Sequence, residues 1–466
     1  MIHSGKMSAL EQKAVISLSS IMSLRMIGLF MVLPVFSLYA HQLDGATPTL
    51  IGIAIGIYGL FQALFQIPFG TLSDRVGRKP IIAIGLLIFI AGSLMAGLTH
   101  SMLCMIIGRA LQGIGAVGST ILAMMADLTR EEQRTKAMAI AGITIGFSFS
   151  LAMILGPVLT KWLFVNDLFL LAALFGLIGM IVLYVSVPLP QKSSWHRNTG
   201  PEFSSFVKLL VAPELAKLNI GIFILHAIFT SSFIVIPITL LHFAHLSSQQ
   251  QWLMYLPTLL AALIISLFCI GMAERKQLLK PYFLSGIGCL ITALVLFWIA
   301  PQRILFLATG LCLFFTGFSL LEAFLPSLIS RTAPAAQKGS AMGIYSCSQF
   351  LGIFVGGALG GWLYGKFDLS GVYLFCIVLA FFWLTLAFLM QTPRYLITQM
   401  WPLFPSKQQE WDTIATKLRV IPGMVEVTFM TGEDVAYLKM ERSTLEHPDF
   451  IRLKERIIGN HLVLGE

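Results

Sequence analysis

Apolar residues fill this chain in blocks of about 20, and short polar stretches separate the blocks. A mostly apolar run of that length matches the hydrocarbon core of a bilayer crossed by one helix. The pattern predicts twelve spans, the first six near residues 15–39, 49–69, 80–99, 102–124, 137–160 and 168–187. A polar stretch, PLPQKSSWHRNTGPEFSSF, then intervenes. Six more spans follow near 216–240, 250–272, 282–300, 304–328, 340–362 and 371–391. The first dozen residues are polar with no small-residue cleavage site after them, so the first apolar run is expected to be a retained helix. An even number of spans puts both ends of the chain on one side.

The polar connections say which side. Those sharing a side with the termini carry 17 Lys and Arg, among them Arg75, Arg78, Lys79, Arg130, Arg275 and Lys276. The opposite connections carry only Lys161, Arg303 and Lys366. Basic loops stay in the cytoplasm. Both termini are therefore expected to be cytoplasmic, in a multi-pass protein of a bacterial-type inner membrane.

Composition agrees, with 57% hydrophobic and 11% charged residues against roughly 25% charged in soluble domains. The net charge of +9 does not indicate a nucleic-acid partner, because it resides in the loops facing the inner leaflet. The six cysteines lie in or beside apolar runs without metal-ligand spacing, and read as small buried hydrophobes. No cofactor or metal is expected. No span pairs a nucleophile with a base, so the chain is not expected to be an enzyme.

Residues 393–466 differ in kind. Trp411, Ile414, Ala415 and Leu418 fall at helical spacing. Val425, Val427 and Phe429 alternate, as do Ala436, Leu438 and Met440, with TGED between them. Phe450, Leu453 and Ile457 mark a second helix, followed by HLVL. With Tyr395 to Gln399 as a first strand, the order is βαββαβ, a ferredoxin-like α+β domain. Lacking cysteine and nearly neutral, it is not expected to bind metal or RNA. A cytoplasmic module that binds a regulatory ligand or self-associates is expected. The organisation is then a six-helix half (1–190), a cytoplasmic linker (191–214), a second six-helix half (215–392) and this small domain.

A repeat relates the halves. LGPVLTKWL (155–163) aligns with VGGALGGWL (355–363), and GTLSDRVGRKP (70–80) with GMAERKQLLKP (271–281). Transporters built from such repeats bind substrate where the halves meet. Glycines at 52, 56 and 59, and at 352, 356, 357, 360 and 361, have the small-residue spacing that lets helices pack closely. Ionisable residues inside the spans are few: Arg25, Arg109, His226 and Glu322. Such groups are costly in a bilayer and mark pathways or packing pairs. Glu322 is the one carboxylate well inside a span, suited to load and release a proton. His226 is either a cavity residue or a satisfied packing histidine.

The segment GTLSDRVGRKP resembles the cytoplasmic signature of the major facilitator superfamily, matching it at Gly70, Leu72, Asp74, Arg75, Gly77, Arg78 and Lys79. GRALQGIGAV resembles the family's span-four signature, with Arg109, Gln112, Gly113 and Gly115. AGITIGFSFSLAMILGPVLTKW resembles its antiporter signature at Gly142, Gly146, Gly156 and Pro157, but Thr160 and Lys161 replace a glycine pair. ADLTREEQRTKAMA, LLEAFLPSLISR, the His226 region and VAYLKM resemble the YajR subgroup, whose members carry a small cytoplasmic domain after the twelfth helix. The resemblance implies a proton-coupled drug antiporter working by alternating access. It implies a charge cluster of Asp74, Arg78 and Asp127 that locks the halves, with Asp74 facing the start of span eleven near Pro334 to Ser340. It makes Arg109 a proton-coupling residue. A facilitator or symporter for a small metabolite, and a membrane sensor with a ligand-binding tail, are the alternatives. The expected partners are a small-molecule substrate, protons and the lipid bilayer.

Overall fold

The computed structural model describes residues 7–115, 117–188, 203–334, 337–391, 396–402, 408–430 and 435–458. Among them, eleven helical stretches are long and apolar enough to cross a membrane. The first crossing is α1 (Ala9–Phe30) continued by α2 (Leu33–Tyr39), offset where Pro34 enters the first turn of α2. α3 (Pro48–Val76) begins on a Thr47 cap and ends at Gly77, whose φ of 108° lets α4 (Arg78–Leu98) start at once. The fourth crossing, expected as one helix, is split into α5 (Met102–Ile114) and α6 (Gly118–Asp127). α7 (Glu131–Leu159) and α8 (Val165–Val185) complete the first half.

A short helix, α9 (Phe203–Val211), lies within the expected linker. The second half comprises α10 (Pro213–Phe243), α11 (Trp252–Arg275), α12 (Leu279–Ile299), α13 (Ile304–Thr332) and α14 (Lys338–Phe388). The expected eleventh span and all but the last three residues of the twelfth are inside α14, which bends at Asp368 (φ 56°, ψ −160°). This joining accounts for eleven stretches where twelve crossings are expected.

The halves touch at one end and part at the other. A Cβ on Gly56 would lie 2.9 Å from the carbonyl oxygens of Ile353 and Phe354. Gly52 abuts Gly357 and Gly361, and Gly361 abuts the Pro48 carbonyl. These α3–α14 contacts are backbone against backbone, a closeness only glycine permits. Nearby, Gln249 donates to the Thr160 carbonyl (3.1 Å) and the Lys161 ammonium sits 5.0 Å above the Trp252 ring. At the opposite end, that of the 70–80 turn, Gly70, Gly271, Gly339 and Gly343 have open space where a Cβ would stand, as do Gly142 and Gly146 along the first half of α7.

The C-terminal domain has a sheet ordered β1 (Leu396–Pro402), β3 (Val435–Glu441), β2 (Met424–Met430), all antiparallel, with helices α15 (Gln408–Arg419) and α16 (Pro448–Ile458). Trp401, Ala415, Leu418, Val427, Leu438, Met440 and Phe450 form its core. Val425, expected to share a face with Val427, is exposed, because the register shifts between Met424 and Glu426. The expected TGED turn and HLVL strand lie outside the described residues.

Candidate functional site between the halves

Three side chains meet in the second half. The Gln349 amide on α14 donates to Glu322 Oε1 on α13 (3.2 Å) and stands 2.9 Å from His226 Nε2 on α10. With the amide as donor to Nε2, the histidine's proton is on Nδ1, which faces the Ile222 carbonyl at 3.3 Å. Glu322 Oε2 is hidden from solvent, has no hydrogen-bond partner among the described residues, and lies 3.8 Å from His226 Nε2. The Tyr345 hydroxyl, one turn before Gln349, is likewise buried without a partner among the described residues. A proton on either Glu322 or His226 would supply a donor between them that this arrangement lacks.

Aromatic rings lie against this cluster and join the two halves. Phe318 packs on His226 (5.6 Å between ring centres) and on Phe229 (4.5 Å). Both meet Phe149 of α7, at 5.9 and 5.6 Å, and Phe149 meets Phe30 of α1 at 5.2 Å. Four helices, two from each half, thus converge beside the polar group.

The buried cations of the first half sit apart from it. Arg109 donates to the Ala54 carbonyl (3.2 Å), the Ile55 carbonyl (3.4 Å) and Gln112 Oε1 (2.8 Å), and stacks over Tyr58 at 4.7 Å. Gln112 in turn donates to Ser93. Arg25 donates to Gln62 (3.2 Å), and its Nε is buried without a partner. No carboxylate pairs with either cation among the described residues. Arg109 does not reach the aqueous boundary; its donors tie α5 to α3.

At the 70–80 turn, Arg78 pairs with Asp74 and with Asp127 (3.0 Å), and donates to Ser73 (2.7 Å). The structure therefore brings Asp74, Arg78 and Asp127 together within the first half. Among the described residues, Asp74 has no ion pair with the start of α14, where Gly339 and Gly343 have nothing within 4 Å of a Cβ. Arg75 is exposed, and Lys79 turns away to the Val187 carbonyl. Within the antiporter-type segment, Gly142 and Gly146 have nothing within 4 Å of a Cβ, whereas Gly156 abuts the Met31 carbonyl where α1 gives way to α2. Pro157 lies inside α7.

Two features escaped sequence reading. Gln349 and Tyr345, four apart in YSCSQ, share a helix face, but neither is ionisable in the usual range and neither stood out from the run. Glu11 is buried and accepts from the Arg130 amide (2.8 Å), Nε (2.9 Å) and an Nη (2.9 Å), joining α1 to the start of α7. Its capping box with Ser8 was visible as S-x-x-E.

Two like halves of membrane-spanning helices meeting around a polar cluster define a secondary-transporter architecture. The chain belongs to the Major Facilitator Superfamily, whose description matches residues 18–356 and 317–399. It is 43% identical to the Inner membrane transport protein YajR of Escherichia coli K12, over 94% of this chain and 96% of that protein. It is 25% identical to the Multidrug resistance protein MdtH of E. coli SE11, over 72% and 83%. By fold it resembles a bacterial homolog of the human lysosomal transporter Spinster in an inward-facing, occupied conformation (TM-score 0.65, 13% identity, 82% of this chain and 97% of that one). It also resembles the human organic anion transporter MFSD10 (TM-score 0.62, 18% identity, 82% and 100%).

Proposed function

We propose that this chain is a proton-coupled efflux transporter of the drug/proton antiporter type, alternating access between its two halves in an inner membrane. The reading rests on one observation above others. The Glu322–Gln349–His226 cluster holds an unpartnered carboxylate oxygen against aromatic rings contributed by both halves. A proton on Glu322 removes a charge from the spot where a substrate would be held, so proton and substrate exclude one another there. The rings offer a face to lipophilic or cationic molecules. With the termini in the cytoplasm, the 70–80 end is the inner one, and this conformation is open inward. The lock then forms when Asp74, carried by Arg78 and Asp127, reaches the start of α14. The name of MdtH supports the drug-efflux part of the reading.

The test is proton flux in liposomes holding the purified protein, wild type beside Glu322→Gln. An imposed pH gradient is challenged with lipophilic cations and neutral compounds. Compound-dependent proton release in the wild type that vanishes in the variant is the expected result. Release that persists in the variant would keep antiport and remove Glu322 from it. Equilibration of compounds without proton movement would favour a facilitator instead. A chain that moves neither protons nor compounds would point to the sensor alternative, with the tail as its binding module.

A further inference from the structure

The C-terminal domain is attached to the second half at more than its tether. Lys439, on the central strand β3, is buried with 5% of its surface exposed. Its ammonium donates to the Ala333 carbonyl (3.0 Å), the residue that ends α13. A cation there suits the negative end of a helix. Burial pulls this ammonium below the usual lysine range; Glu426, its register partner on β2, acts against that and Lys338 at the start of α14 adds to it.

The exit of α14 is fastened as well. Lys280 of α12 donates to the carbonyls of Phe388 (3.0 Å) and Met390 (2.6 Å), and Lys217 of α10 to that of Leu389 (3.0 Å). Glu214 accepts from the Gln391 amide at 3.3 Å. Four residues then separate Gln391 from Leu396. Such a connection spans at most about 18 Å. A short tether keeps the domain at high local concentration beside the α13–α14 connection, so a single buried contact is enough to hold it there.

That connection has a second claimant. Closing the open end brings the end of α3 toward the start of α14, and Lys439 holds the domain at Ala333, one residue before Pro334. We propose that the C-terminal domain is a brake, docked through Lys439 on the α13–α14 connection of its own transmembrane core, where it resists closure of the 70–80 end. The domain rides with the second half, and it must release or shift for the first half to lock against α14. This goes beyond the antiporter reading and rests only on the alternation of the two halves, whatever they carry.

The experiment uses the full chain in nanodiscs, with the six cysteines replaced by alanine and nitroxide pairs read by pulsed dipolar spectroscopy. One pair, Val420 with Lys276, both exposed, reports the domain against the second half. A second pair, Leu72 with Lys276, reports the open end. Lys439→Met is compared with Lys439→Arg, which keeps the cation. The expected result is a broadened first distance in Lys439→Met alone, with a closed-state population in the second pair raised about tenfold, the order set by one buried charged hydrogen bond. A broadened first distance with an unchanged second would overturn the brake. An unchanged first distance would overturn the docking contact itself. Proton flux on the same preparations is a separate readout, so failure of the brake and failure of antiport remain distinguishable.

Discussion

Replacing Gly56 by alanine should push the protein out of the conformation seen here. The new Cβ would lie 2.9 Å from two carbonyl oxygens and 3.0 Å from Phe354 Cα, whereas ordinary contact begins near 3.4 Å. The obstacles are backbone, so α3 and α14 must separate by about half an ångström along their shared glycine face. Overpacking of that kind costs about 1–3 kcal/mol. This contact joins the two halves, and it is lost when that end opens, so the cost falls on one state only. A differential of that size shifts the equilibrium about 5- to 150-fold toward the other conformation. The shift is read by dipolar spectroscopy between nitroxides at Gln42 and Lys366, exposed residues at the closed end. Gly339→Ala is the control, because nothing lies within 4 Å of a Cβ there. A longer Gln42–Lys366 distance in Gly56→Ala but not in Gly339→Ala is expected. An unchanged distance in Gly56→Ala would refute the assignment of the α3–α14 face as the gate.

Other substitutions test the remaining parts of the site. Gln349→Leu removes the donor shared by Glu322 and His226, and coupled proton flux should fall about tenfold; flux at the wild-type rate would take Gln349 out of the mechanism. Arg78→Ala should cost under about 1 kcal/mol of stability, since its partners Asp74 and Asp127 are largely solvated. Transport should nevertheless fall, because the cluster that presents Asp74 is gone; thermal unfolding and vesicle uptake measured together separate the two effects. Glu11→Gln breaks a charge-assisted contact between α1 and α7. It should lower the thermal midpoint by an amount corresponding to about 1.5–3 kcal/mol while leaving substrate selectivity unchanged. A selectivity change would contradict a purely structural role.

The membrane plan was legible because bilayer thickness imposes a length on every apolar run, and because basic residues mark one side. Helix ends were less so. Gly115 interrupts the fourth crossing, and Pro34 the first, in runs whose hydropathy does not change. The bend at Asp368 was hidden for the opposite reason, since the polar residues about it look like an ordinary loop. In the tail, alternation located β2 and β3, but a bulge after Met424 turned Val425 outward. At the site, charge singled out Glu322 and His226 in apolar surroundings, yet nothing local says that α10 and α13 bring them within 4 Å. Gln349 had no such contrast, being one polar residue in a helix rich in small ones.

The placement of charge between the halves has a mechanical meaning. The first half holds Arg25 and Arg109 almost wholly buried, and the donors of Arg109 are spent on α3 carbonyls and Gln112. Those carbonyls, at Ala54 and Ile55, lie in the stretch of α3 whose glycines meet α14. Arg109 therefore ties α5 to the stretch of α3 proposed as the gate, and it has no contact with Glu322 among the described residues. The second half holds the carboxylate with a free oxygen and the histidine whose proton faces away from it. Fixed charge thus stiffens one half, while the carboxylate proposed to exchange a proton belongs to the other, and the Phe30–Phe149–Phe318 contacts link the two. If Glu322 loads a proton as proposed, the change can reach α3 along α14 as well as through the rings, because Gln349, which bonds Glu322, precedes Phe350, whose carbonyl Gly59 abuts.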